Sequence, residues 1–490
     1  MDKDLLSIQE SRVLMENSAN AQQELAAFSQ EKLDNIVEVM AASVSKHVER
    51  LAKLSFEETG YGCWQDKVKK NQFVIQQVLA YLRSIQCVGV IAKDEQLRTM
   101  DIGVPFGVLV GLCPVTSPVS TTINKVLMAI KSGNSIVFSP HPHASNCIKA
   151  ALDCMIEAAE NAGLPVGSIA YMNTVTKDGT RELLNHPNAA LLLLTGVPGM
   201  VELGRRSGKP VIYSGTGNGP AFIERTADVA QAVEDIVNSK AFDHGIAPAA
   251  EHSVIVESCI EPQVRSLLQA QGAYFMTEEE SYTLAHLLFS ETGRHRPGMV
   301  GVSAKQLASR ANILVPDNVR LLVAERKYVA KDDPYSKELL APVVAYYVEE
   351  DWQNACEKCI ELLLHVRHAH TLTIHSNDEK VIGLFALKKA VGRLLVNTAA
   401  SFGGIGLTTN LTPSLSLANR FYGQGITADN ISPRNLIYIR KVGYGVRKID
   451  TESLIKEAES STQTPVLYND DSIDALQRVI QNAIRMMQSN

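Results

Sequence analysis

A few short stretches of this chain carry residue types that can do chemistry. Ser139-Pro140-His141-Pro142 follows an apolar run, and Thr195-Gly196-Val197-Pro198-Gly199 follows another. A loop behind a buried strand can meet a ribose, and a helix that opens on glycines can offer free backbone amides to a pyrophosphate. Taken alone, the first stretch is more simply a tight turn and the second a helix start. His370-Thr371 sets an imidazole beside a hydroxyl, Glu338 supplies a carboxylate, and Cys113 places a thiol close to the hydroxyl of Ser117. By themselves His370 reads as a satisfied core histidine, Glu338 as a solvated charge, and Cys113 as a small hydrophobe, because free cysteine is among the most buried residue types. Cys356 and Cys359 have CxxC spacing but lie in a helical-looking run, so no metal site is expected.

These residues need elements to position them. From Leu5 to Gln86 apolar positions recur at three- and four-residue spacing, as in Leu33, Ile36, Val37, Met40 and Val44, which predicts a helical lead-in. From Gly103 short β-rich runs alternate with helical ones: strands at Gly107–Cys113, Ser135–Ser139, Ile169–Met172 and Ala190–Thr195, helices at Ser120–Ser132, Cys147–Ala162 and Thr180–Asn185. That alternation is the mark of a doubly wound α/β sheet. A second α/β unit is expected from near Phe242 to near Gly423, followed by a weakly alternating late strand, Asn435–Gly443. The expected division is 1–240 for the helices and a dinucleotide-binding domain, 241–425 for a catalytic-type domain, 426–450 for the late strand, and 451–490 for a tail. In the tail, polar Ser461–Ser472 reads as a linker, and Ile473–Met487 gathers its apolar residues on one helical face.

Composition narrows the class without naming a reaction. With 490 residues, 45% hydrophobic and 20% charged, the chain exceeds the ~250–300 residues at which single cores stop growing. A net charge of −6 leaves no basic stripe for nucleic acid. No run approaches the ~18 apolar residues of a membrane span, and the N-terminus has no signal-peptide pattern. Eight scattered cysteines fit reduced thiols and a cytoplasmic setting.

Several segments, in order, resemble the CoA-acylating aldehyde dehydrogenases: PFGVLVGLCPVTSPVST (Pro105–Thr121), NSIVFSPHPHAS (Asn134–Ser145), LLLLTGVPGMV (Leu191–Val201), SGKPVIYSGTGNGPAFI (Ser207–Ile223), KAFDHGIAPAAEHSVIV (Lys240–Val256), ELLAPVVAYY (Glu338–Tyr347), HAHTLTIHS (His368–Ser376) and NTAASFGGIG (Asn397–Gly406). The resemblance implies an aldehyde dehydrogenase fold, a Rossmann-like cofactor domain with an α/β catalytic-type domain and oligomerisation strands. It also implies NAD or NADP at Ser139, Pro140, His141, Pro142, Thr195, Gly196, Gly199 and Glu338, with His370 in the active site and coenzyme A as co-substrate if the protein is active.

Three positions depart from that family. Its nucleophilic cysteine falls at Pro248, which has neither a reactive side chain nor a backbone donor. Its oxyanion-binding asparagine falls at Ser117, and its small glycine-rich turn falls at the bulkier Leu417–Gly425. The resemblance therefore implies a catalytically silent or strongly impaired member that keeps its nucleotide scaffold. The alternative is an active NAD(P)-dependent oxidoreductase interconverting an aldehyde and its acyl-CoA, with Cys113 as a stand-in nucleophile. It further implies a homo-oligomer or assembly with an active paralogue, and a terminal helix, Ile473–Met487, of the kind that directs relatives into bacterial microcompartments. Neither nucleic acid nor membrane is expected as a partner.

Overall fold

The computed structural model describes residues 2–215, 217–296, 298–366, 369–419 and 425–447; the expected linker and terminal helix lie outside them. The chain divides into two units. The larger, residues 1–92 and 101–440, holds the elements that position the clefts; the smaller is described over 93–100 and 441–447.

The lead-in is helical as its periodicity predicts. Helices Lys3–Leu25, Gln30–Ser45, Val48–Thr59 and Trp64–Phe73 are followed by a π-helical turn, Val74–Val78, and a last short helix, Leu79–Arg83. Strands β1 (Gly89–Asp94) and β2 (Thr99–Pro105) come next, ahead of the expected start of β structure. Their side chains are mostly exposed or half-buried, so they lack the apolar runs that announce the later strands.

Five parallel strands then form one sheet: β3 (Val108–Leu112), β4 (Ile136–Phe138), β5 (Ile169–Tyr171), β6 (Ala189–Thr195) and β7 (Val211–Ser214), in the order β5-β4-β3-β6-β7. Strands covered on both faces read as continuous apolar runs, and Leu191–Leu194 in β6 is such a run. Helix Pro118–Lys131 is buried along its whole length.

A seven-stranded parallel sheet follows: β8 (Gly219–Ile223), β9 (Glu251–Glu257), β10 (Ala273–Phe275), β11 (Leu321–Glu325), β12 (Val343–Glu349), β13 (Thr371–His375) and β14 (Arg393–Val396). Their order is β10-β11-β12-β9-β8-β13-β14. The change of sheet thus comes at residues 215–218, ahead of the boundary expected after residue 240. The reason is that β8 pairs with β9 and β13 rather than with its sequence neighbour β7. The late strand is present as β15 (Ile437–Gly443), in a three-stranded sheet ordered β1-β2-β15, with Tyr438 and Ile439 exposed. Cys356 and Cys359 are buried in helix Trp352–Val366, and no metal-binding cluster is present among the described residues.

Candidate functional site: two clefts at the switch point of the first sheet

From β3 the chain runs to β4 and β5 on one side and returns to the other side for β6. Such a reversal opens a crevice outside the carboxyl ends of the strands. Cys113 to Ser117 leave the end of β3 there, and Thr195 and Gly196 close β6. Lys125, on the buried helix, holds these ends together: its ammonium donates to the carbonyls of Leu112 (2.5 Å) and Leu193 (2.7 Å). Burial lowers its pKa to about 8.

One cleft gathers Ser117, Thr195, Gly196, Pro248 and His370, together with Lys70, Phe242 and Leu417. Pro248 occupies the second position of a turn that the Ala250 N–H closes onto the Ala247 carbonyl at 3.0 Å. Proline suits that position because its fixed φ is the one the turn requires. The turn packs against Gly217, where a Cβ would stand 2.3 Å from the Pro248 carbonyl oxygen and 2.6 Å from His252 Nε2. His370 is buried with Nδ1 2.7 Å from Thr371 Oγ1, and desolvation pushes its pKa well below the usual imidazole value. It therefore faces the cleft neutral at pH 7. No cysteine lines this cleft among the described residues.

A charged cluster borders the same cleft. Asp243, in the left-handed region with φ 47°, places Oδ2 within 3.2 Å of Lys67 Nζ and 2.6 Å of Lys70 Nζ. The Cys63 N–H donates to Asp243 Oδ1 at 2.7 Å, and Lys70 also donates to Ser117 Oγ at 3.0 Å. The hydroxyl that resemblance places at the oxyanion position is thus already an acceptor, with only its O–H left to donate.

The second cleft is lined by Ser139, Pro140, His141, Pro142 and His143 at the end of β4, with Cys113, Thr180, Val197 and Met200. Ser139 Oγ and Thr180 Oγ1 lie 2.8 Å apart. Cys113 is fully buried, its Sγ accepts from Thr122 Oγ1 at 3.3 Å, and burial pushes its pKa up. Cys113 lines this cleft and not the one that holds Pro248, and its burial disfavours the thiolate. Gly199 is exposed, in the first turn of helix Pro198–Arg206, and a Cβ there would meet nothing within 4 Å. Local packing therefore does not call for glycine, whereas close approach of a phosphate would. Gly196 has a local reason, with φ 62° and Pro114 Cβ 2.5 Å from where its own Cβ would be.

Glu338 stands apart from both groups. It is buried, accepts from the Gly217 N–H at 2.5 Å and borders a third recess with His295, Lys337 and His365; burial pushes its pKa up to about 7. Of the Leu417–Gly425 turn, Leu417 lines the first cleft and Asn419 donates to the Ala369 carbonyl at 3.2 Å; residues 420–424 lie outside the described residues.

The model of the aldehyde dehydrogenase family matches residues 8–279, more than half of the chain. The chain belongs to the aldehyde dehydrogenase family. It is similar to a probable aldehyde dehydrogenase from Listeria monocytogenes EGD-e, at 45% identity and TM-score 0.90, covering 92% of this chain and 100% of that one. An acetylating aldehyde dehydrogenase from Geobacillus thermoglucosidasius is 40% identical with TM-score 0.88, covering 91% and 99%. Among curated relatives, the bifunctional aldehyde-alcohol dehydrogenase of Escherichia coli K12 is 34% identical over 436 residues, 88% of this chain and 49% of its own length. The chain thus spans about half the length of that relative. No helix among the described residues is long and apolar enough to cross a membrane.

Proposed function

We propose that this family member binds a dinucleotide but does not carry out acylating aldehyde oxidation. One observation carries the reading: among the described residues, no thiol lines the cleft that joins Ser117, His370 and Pro248. Acyl transfer from an aldehyde to CoA begins with a nucleophile that forms a hemiacetal-type adduct and ends with release of a thioester. In this cleft residue 248 offers only a pyrrolidine ring, and the oxyanion position offers one hydroxyl donor, that of Ser117.

The dinucleotide part rests on the second cleft. Ser139 to His143 would take the adenosine ribose, and the first turn of helix Pro198–Arg206 would take the pyrophosphate, where no side chain caps the helix. A nicotinamide cofactor bound there would supply hydride chemistry. The pair Lys125 and Gly196 would keep the ends of β3 and β6 in place around it. CoA enters as a co-substrate only if turnover exists.

The test is acyl-CoA-dependent oxidation of NADH and NADPH by the purified protein, paired with calorimetry of both reduced and both oxidised dinucleotides. Binding without turnover is the expected result. Robust turnover with acetyl-CoA, propionyl-CoA or succinyl-CoA overturns the first half of the reading, and absence of binding by any of the four dinucleotides overturns the second.

A further inference from the structure

The cluster beside Pro248 is unbalanced in charge. Lys67, Lys69 and Lys70 face two carboxylates, Asp66 and Asp243. Asp66 is engaged by the exposed Lys69 at 2.8 Å, and its other oxygen accepts from the Asp243 N–H and the Cys63 thiol. Among the described residues that leaves Asp243 as the one carboxylate for two ammonium groups whose side chains are 5% and 8% exposed. A buried charge is costly unless paired, and here one carboxylate oxygen is shared between two cations.

Of these lysines, Lys70 reaches the cleft wall. Among the described residues no aspartate or glutamate lines that cleft, and most of its remaining wall is apolar, with Pro114, Phe242, Ile405, Leu415 and Leu417. Two further donors point the same way. Ser117 Oγ accepts from Lys70, so its O–H is the part left to donate into the cleft. Ser117 also stands at the N-terminus of the helix Pro118–Lys131, which has no side-chain cap and carries the positive end of the helix dipole.

We propose that this cleft is a binding site for a short aliphatic monocarboxylate, its carboxylate set against Lys70 and Ser117 and its alkyl chain against Phe242, Ile405 and Leu415. One negative charge matches the one ammonium that reaches the cleft wall among the described residues, that of Lys70, which distinguishes the ligand from phosphates and dicarboxylates. The apolar wall distinguishes it from simple inorganic anions. The ligand binds without reacting, since a carboxylate is already at the oxidation level of the acid and the cleft, among the described residues, offers no thiol to acylate. The site is independent of the dinucleotide cleft.

Calorimetry on the full chain with propionate, propionamide and chloride tests this. Propionate should bind, and propionamide, equal in size but neutral, at least tenfold more weakly. Chloride should give no saturable heat. Lys70→Met should weaken propionate at least tenfold, and Ser117→Ala should weaken it several-fold while leaving the wild-type charge cluster in place if Lys70→Met does not fold. Equal affinity for propionate and propionamide overturns the charge argument, and saturable chloride heat that propionate merely competes with reduces the site to an adventitious ion only. Propionate bound undiminished by Lys70→Met and Ser117→Ala places the acid elsewhere and overturns the proposal. So does absence of propionate binding, and dinucleotide binding measured on the same sample shows whether the scaffold reading survives that failure.

Discussion

Replacing Asp243 with asparagine isolates the charge on which the cleft wall depends. The change keeps the side-chain volume and keeps an oxygen for the Cys63 N–H, which Asp243 Oδ1 accepts at 2.7 Å. It removes the one carboxylate that, among the described residues, pairs with Lys67 and Lys70, whose Nζ atoms lie 3.2 and 2.6 Å from Oδ2. At an effective dielectric of ~20, opposite unit charges about 3 Å apart attract by ~5 kcal/mol before desolvation is counted. Mutual repulsion of the lysines and the cost of burial offset much of that. Removal of one partner from a buried ion pair costs about 3–5 kcal/mol on balance. At ~2 °C per kcal/mol, the scale for larger domains, the melting temperature should fall by about 6–10 °C. Scanning calorimetry at pH 7 reads the shift directly, and raising salt from 0.05 to 0.5 M, about a tenfold change, should alter it little because the group is buried. Adding Lys67→Met should recover part of the loss, since one unpaired cation is then gone. A melting temperature within ~2 °C of wild type would refute the reasoning. A double variant less stable than Asp243→Asn alone would do the same.

Three further outcomes follow from the geometry. Gly199→Ala should leave the melting temperature unchanged, because its Cβ meets nothing, yet weaken dinucleotide binding at least fivefold in calorimetry; unchanged affinity would move the pyrophosphate off that turn. Burial raises the Glu251 pKa from its ordinary 4.5 to about 7, so its contribution to stability is full below pH ~4.5 and is lost as pH rises through about 7. Glu251→Gln fixes the neutral form, and its melting temperature relative to wild type should therefore be higher at pH 8 than at pH 5; a pH-independent difference would count against the shift. Pro248→Cys alone should yield no robust acyl-CoA reduction, because Ser117 still stands where the family's oxyanion-binding asparagine falls and Leu417 still lines the cleft, and an assay showing turnover near that of an active relative would contradict this.

Much of the fold could be read from residue types. The run Leu191–Leu194 and the alternation of strands and helices from Val108 onward announce buried parallel strands, since such strands need apolar side chains on both faces. Ser117 and His370 share one cleft, where Thr195 and Gly196, expected beside the cofactor loop, also lie, and Ser139 to Pro142 line another. What the sequence conceals is pairing across long separations. A lysine is ordinarily a surface residue, so Lys67, Lys70 and Lys125 read as solvated until Asp243, Leu112 and Leu193 are brought to them. Glu338 is a similar case: alone it reads as a solvated charge, and only the resemblance assigns it to a cofactor, while the fold buries it with one oxygen accepting from the Gly217 N–H. Strands β1 and β2 escape notice because few of their side chains are buried.

The turn at Pro248 bears on how this loop can change over evolutionary time. A proline already seated at the second position of a turn restricts the unfolded chain, which stabilises a protein by about 0.4–1 kcal/mol relative to a residue without that restriction. Any single substitution that brings a thiol to residue 248 begins by surrendering that advantage, before Ser117, Lys70 or the rest of the wall has adapted to use it. On the proposed reading, the first step toward chemistry lowers folding stability and adds no activity. Selection for stability therefore acts as a ratchet on this loop, and a lineage carrying this proline turn would regain a nucleophile only through accompanying changes elsewhere in the cleft.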